Sequence, residues 1–162
     1  MSAATTSGVE RIGAAFASRR GSAALMPYAM AGYPTLAEST RIGEACVQAG
    51  ADVIELGVPY SDPLADGPVI HAAGTAALAA GATLSGVLEV ARTLSEQIPV
   101  VLMCYANMVY APGAGAFVER LARAGRRPSC SRICTRASSP ITRCRSRTIA
   151  GYGAGPTAEP IT

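Results

Sequence analysis

The stretch Gly50-Ala-Asp-Val-Ile-Glu-Leu-Gly-Val-Pro-Tyr-Ser-Asp-Pro-Leu-Ala-Asp-Gly-Pro68 decides how this chain is read. Residues 52–56 are a short run rich in β-branched and apolar side chains, which predicts a strand that the following glycine and proline bring to an end. Residues 57–67 then form a loop holding Asp62 and Asp66, just beyond Glu55 near the strand end. Glu55 is set in an otherwise apolar strand beside Gly57 and Pro59, so its carboxyl is expected to be partly desolvated, a condition suited to acid/base work. Asp66 stands at the far end of the loop and can fold back over the same strand end. Two carboxylates in unlike surroundings can take different roles. Taken alone, the pattern leaves two readings open, because an acid at a strand end also serves as a loop anchor and Asp before Gly is a common turn residue.

Working outward, Ser7 and Glu10 have capping-box spacing, and Val9, Ile12 and Phe16 supply an apolar face, which predicts a helix to about Arg19. The apolar run at 23–31, stopped by Gly32, Tyr33 and Pro34, predicts a strand. Thr35 and Glu38 form a second capping box, and Gly50 stands where a helix C′ glycine belongs. Residues 68–80 read as an Ala-rich helix with Pro68 at its first position. After Gly81, Leu84, Val87, Leu88, Val90, Ala91 and Leu94 mark the buried side of another helix. Residues 99–104 predict a third strand, and Phe117, Val118, Leu121 and Ala122 a helix over 116–124. Strand alternating with helix is the pattern of a parallel sheet with crossover helices. In such folds chemistry lies beyond the strand C-termini, where Glu55, Asp62, Asp66 and Tyr105 all fall. No G-x-G-x-x-G follows the first strand and no P-loop occurs, so a barrel is favoured over a nucleotide-binding doubly wound sheet.

The loop signature at 50–68 closely resembles that of the tryptophan synthase alpha chain. Pro27-Tyr-Ala-Met-Ala-Gly-Tyr-Pro34 and Met103-Cys-Tyr-Ala-Asn107 are similar to that family's first and third strand ends, in the right order, and the resemblance runs from about residue 8 to 125. It implies the N-terminal portion, about three βα units, of a (β/α)8 TIM barrel. It also implies retro-aldol cleavage of indole-3-glycerol phosphate to indole and glyceraldehyde 3-phosphate, with indole passed to a beta chain in an alpha2beta2 tetramer. Pyridoxal phosphate belongs to that beta chain, so this chain is expected to carry no cofactor. By position, Glu55 matches the main acid/base, Asp66 the carboxylate at the indole N–H, Tyr105 a substrate-pocket residue and Asp62 a loop position that touches the beta chain. The chemistry agrees. Carbon 3 of indole leaves only once protonated, and an ionised carboxylate near the nitrogen steadies the charge that results. No metal is required, and His71 reads as a helix-face residue.

The composition divides near Arg126. The chain has 162 residues, a formal net charge of +3, 49% hydrophobic residues and 15% charged ones, which suits one globular domain and argues against a disordered, collagenous or transmembrane chain. Every basic residue is arginine, a sign of GC-rich coding. Residues 1–125 hold ten Leu and eleven Val, whereas 126–162 hold neither. The same tail has seven Arg against Glu159 alone. No natural core is built that way. Where the family would continue with a strand ending in a Pro-Asp-Leu-like sequence, this chain reads Cys130-Ser-Arg-Ile-Cys134. Written as TGC-TCC-CGG-ATC-TGC and read from the last base of the first codon, those residues become CTC-CCG-GAT-CTG, or Leu-Pro-Asp-Leu. Residues 1–125 are therefore read as a partial barrel domain and 126–162 as a frameshifted, disordered, Arg-rich tail.

The tail carries no convincing motif of its own. Cys130, Cys134 and Cys144 lack the paired short spacings of a zinc site, and the arginines come without a nucleic-acid-binding motif. Glu10 and Arg11 interrupt any secretory apolar core, no run is long enough to span a bilayer, and the odd cysteine count points to a reducing cytoplasm, with Cys46 and Cys104 as plain buried thiols. The substrate phosphate of such barrels sits on later strands, so little activity is expected of this polypeptide alone, and three unclosed parallel strands are expected to aggregate. Beside the lyase stand two alternatives: a noncatalytic fragment that at most docks on the beta chain, and an unfolded pseudogene product.

Overall fold

The computed structural model describes residues 8–113, 115–117, 119 and 130–136. Among them run α1 (Gly8–Ser18), β1 (Tyr28–Met30), α2 (Leu36–Gln48), β2 (Ile54–Gly57), α3 (Pro68–Ala79), α4 (Leu84–Ser95), β3 (Val100–Tyr105), α5 (Ala106–Tyr110) and β4 (Cys130–Arg136). The strands form one parallel sheet in the order β1-β2-β3-β4, the sequential arrangement of a barrel wall.

The helices start and stop where their sequences dictate. Thr35 caps α2 by accepting from the Glu38 N–H at 3.2 Å. The reciprocal half of the capping box is not made, because the Glu38 carboxylate pairs instead with Arg41 at 2.7 Å. Gly50, with φ at +89°, turns the chain from α2 into β2 through the left-handed conformation that a side chain resists. Pro68 opens α3, and Thr83 caps α4 by accepting from the Gly86 N–H. Five of the six residues expected on the inner side of α4 are buried, with Leu84 at the margin.

The core lies between one face of the sheet and α2 and α4. Strand alternation sends Ile54, Leu56, Val100, Leu102 and Cys104 into it, where they meet Val87, Val90, Ala91, Leu94, Ile98 and Phe117. Cys104 is buried and Cys46 half-buried, both as free thiols. At the N-terminal end of the sheet, α1 is fastened from both ends: Arg11 donates to the Ser95 carbonyl at 2.8 Å, and Arg19 to Asp52 at 2.6 Å.

Three departures from the sequence reading have physical causes. β1 occupies only the end of the run at 23–31. Pro27 has no N–H to give to a ladder, and the Leu25 N–H is taken by the Asp52 carboxylate at 2.8 Å. The one-turn helix α5 is absent from the sequence reading because five residues are too few to show a period. The sheet is also one strand longer than the three βα units expected. β4, within the segment read as a tail, pairs in parallel with β3 from Val100↔Cys130 to Tyr105↔Arg136. Strand pairing uses backbone groups, and Cys130–Arg136 contains no proline, so it can pair along the free edge of β3 without any Leu or Val. Of the helix expected over 116–124, residues 116, 117 and 119 are helical, as is 115, and the remainder lies outside the described residues, as does the rest of the tail. Among the described residues no single helix is long and apolar enough to cross a membrane.

Candidate active site

Register decides which side chains share the second face of the sheet. Tyr28, Glu55 and Val101 stand opposite one another across β1, β2 and β3. Neighbours in register point to the same side, so with Ile54 and Leu56 committed to the core, Glu55 faces away from it among Tyr28 and Val101. It is half-buried. Tyr105, four residues beyond Val101, lies on this same face at the end of β3 and is 7% exposed. Gly57 completes the strand end. Tyr28 folds so closely over it that a Cβ there would collide with the phenol ring and hydroxyl.

The loop that follows β2 is pinned at several points. The Val58 N–H donates to the Met103 carbonyl at 2.8 Å, continuing the pairing of β2 with β3. Ala65 N–H donates to the Tyr105 hydroxyl at 3.1 Å. Gly67 caps α3, accepting from the His71 N–H at 2.9 Å. Asp66 lies between those last two anchors and is half-buried, whereas Ser61, Asp62 and Leu64 at the loop's outer turn are exposed.

The structure thus gathers Glu55, Tyr105 and the Ala65–Asp66 backbone at the C-terminal ends of β2 and β3, and leaves Asp62 outside at the loop apex. Such an arrangement offers one acid rising from the sheet floor and a second carried on a tethered loop at the same strand ends. Sequence reasoning gave no role to Tyr28, Tyr60 or Asn107. Tyr28 becomes visible only through its register opposite Glu55, and the other two through contacts with the loop. His71 is exposed on α3. Among the described residues no cluster of three or more His, Cys, Asp or Glu is placed to hold a metal ion.

Comparison with known proteins assigns this arrangement to a family. The family model described as "Tryptophan synthase alpha chain" matches residues 15–127. The tryptophan synthase alpha chain of Acaryochloris marina is 49% identical over 108 residues, 65% of this chain and 40% of the relative. That of Neisseria gonorrhoeae is 45% identical over 120 residues, covering 72% and 46%. Among solved structures, tryptophan synthase from M. tuberculosis in an aminoacrylate-bound form superposes with a TM-score of 0.65 at 41% identity, covering 70% of this chain and 48% of that one. Tryptophan synthase subunit alpha from Legionella pneumophila gives 0.65 at 35% identity, covering 71% and 46%. The chain therefore spans two-fifths to just under half the length of these curated relatives. With a parallel sheet in barrel order, a carboxylate at the end of β2 and a family match over residues 15–127, the chain belongs to the tryptophan synthase alpha chain family.

Proposed function

We propose that this chain carries the acid/base end of a cytoplasmic lyase site of tryptophan biosynthesis, which cleaves indole-3-glycerol phosphate to indole and glyceraldehyde 3-phosphate. The observation that supports it most is a half-buried Glu55 on the face of the sheet turned away from α2 and α4, at the strand end whose following loop Tyr105 ties down beside Asp66. In the forward reaction Glu55 delivers a proton to C3 of the indole ring, making that carbon a leaving group, and the Glu55 carboxylate so formed takes the proton of the glycerol hydroxyl as the C–C bond opens to an aldehyde. Asp66 remains ionised and accepts a hydrogen bond from the ring N–H, so the positive charge that grows on nitrogen meets a carboxylate already in place. Tyr105 forms the pocket wall on the β3 side. Asp62, exposed at the loop apex, is the point of contact with a beta chain that receives the indole and holds pyridoxal phosphate.

We also propose that residues 126–162 are read in a shifted frame. The family match ends at residue 127, which supports this reading. Barrels of this type hold a substrate phosphate on the loops after strands seven and eight, and the described residues reach strand four. Holding the substrate in place through such a site contributes about 7–11 kcal/mol to barriers of this kind. The decisive variant is Glu55→Gln in a frame-restored chain. Glutamine keeps the shape and loses the proton, so cleavage is expected to fall by about 10²–10⁴-fold; turnover at the parent rate excludes Glu55 as the acid.

A further inference from the structure

Two phenols hold the loop after β2 to the end of β3, and their hydrogen bonds run in opposite senses. Tyr60, on the loop, stacks on Tyr105 with ring centroids 4.8 Å apart and planes inclined by 29°. The Tyr105 hydroxyl accepts from the loop, at the Ala65 N–H. The Tyr60 hydroxyl accepts from the other side, at Asn107 Nδ2. The loop is therefore held near both ends of its exposed turn, by a backbone group at one end and by a side-chain hydroxyl at the other.

One side of this arrangement is firm. Asn107 lies in the first turn of α5, its carbonyl accepting from the Ala111 N–H at 2.8 Å, and Val109 in the same turn is 2% exposed within the core. Tyr105 is the last residue of β3 and flanks α5 directly. The floor is thus fixed by strand pairing and core burial, and the loop is what its contacts position. A phenylalanine at position 60 would stack on Tyr105 equally well but would offer Asn107 nothing to hold, so the hydroxyl matters to the loop's placement and the ring alone does not account for it.

We propose that Tyr60 and Asn107 are positioning residues. With Tyr105 they form a latch that fixes the loop over the end of β3 and so sets the place of Asp66, the residue after Ala65. Its catalytic meaning rests on the function proposed above, but its geometry does not. The Ala65 amide reports on it directly, because its acceptor is the ring against which Tyr60 stacks.

Site-resolved amide hydrogen exchange on the full chain tests the latch. Tyr60→Phe and Asn107→Ala are each expected to speed exchange at Ala65 by about two- to tenfold, the range set by one net hydrogen bond. The strand amides of Leu102 and Cys104 should stay unchanged. Asn107→Asp should restore protection, since the Tyr60 hydroxyl can turn and donate to the new carboxylate, and it should fail to do so when combined with Tyr60→Phe. Tyr105→Phe, which removes the acceptor itself, sets the upper limit. Unchanged exchange at Ala65 in both single variants, while Tyr105→Phe raises it, overturns the latch. So does a Tyr60→Phe variant in which the strand amides accelerate equally, because Tyr60 then supports the fold at large. This readout does not depend on cleavage. A responsive Ala65 amide in a chain whose frame-restored form cleaves nothing refutes the proposed function and leaves the latch standing.

Discussion

Gly57 shows how much of the site one residue decides. It follows the core residue Leu56 at the end of β2, and the Tyr28 ring lies where its Cβ would be. Gly57→Ala must therefore push the phenol aside or displace the strand end, at an expected cost of about 1–3 kcal/mol for forced overpacking. Urea unfolding of the single and double variants checks this. The cost should largely vanish in a Tyr28→Ala background, where the ring nearest the new Cβ is gone, and an equal cost in both backgrounds would show that the glycine is needed for another reason. The places of Glu55 at a strand end and Asp66 on the loop after it were readable from sequence because they follow from spacing along one segment. The partnership of Gly57 with Tyr28 was not, because it joins β1 to β2 and exists only once the register Tyr28↔Glu55 and Met30↔Gly57 is set.

Between elements, α2 and α4 exchange small and large residues across their contact. Leu94 of α4 fills the space over Gly43 of α2, and Leu36 at the start of α2 fills that over Gly86 of α4. The two sites should respond differently to alanine. Alanine raises helix propensity by roughly 1 kcal/mol at either position, but Leu94 is fully buried and cannot yield, while Leu36 is half-buried and can rotate outward. Gly43→Ala should therefore be net destabilising, by about 1–2 kcal/mol once propensity is offset against overpacking, and Gly86→Ala close to neutral; thermal unfolding of both variants distinguishes them. The periodicity of α4 was legible because an apolar face repeats, whereas the choice of glycine at the crossing depends on how near α2 comes.

A second inter-element tie responds to pH. Arg19 and the Leu25 N–H both donate to Asp52, holding its carboxyl below the ordinary value of 3.8 and joining α1, the approach to β1 and the start of β2. A lowered carboxylate value means that the folded chain binds its proton less readily than the unfolded one. The contribution is therefore complete above about pH 4 and is lost as pH falls through the lower folded value. Asp52→Asn should be less stable than the parent at neutral pH, and the gap should close in acid. A gap that persists at pH 2 would assign the effect to the shape of the side chain and not to its charge.

At the scale of the whole molecule, β4 bears directly on the frame reading. A shift of one base displaces the translated sequence by less than one residue, so Leu-Pro-Asp-Leu in the restored frame falls within the positions that Cys130–Arg136 already occupies beside β3. The restored proline has no N–H to give, so in that frame the strand would end where Cys130–Arg136 now pairs with β3. Side-chain chemistry differs as well, since Leu and Val disappear from the sequence after Arg126 and no set of small and charged residues replaces the apolar wall that a barrel strand gives its helices. Backbone pairing alone was never visible in the tail's composition, which is why a strand there escaped the sequence reading. In a closed barrel the face bearing Glu55, Tyr28 and Val101 is covered by side chains from the remaining strands, and no strand edge is left free. Residues 1–162 expressed alone should therefore self-associate as their concentration is raised through the micromolar range. Deleting or inserting one base near the Arg126 codon, so that Leu-Pro-Asp-Leu and its continuation are translated, should yield a soluble species with a single sharp thermal transition. Size-exclusion chromatography and calorimetry of the two forms decide the matter. A monomeric, cooperatively unfolding parent chain would show that Cys130–Arg136 completes a fold of its own, and the shifted-frame reading would then lose its physical motive.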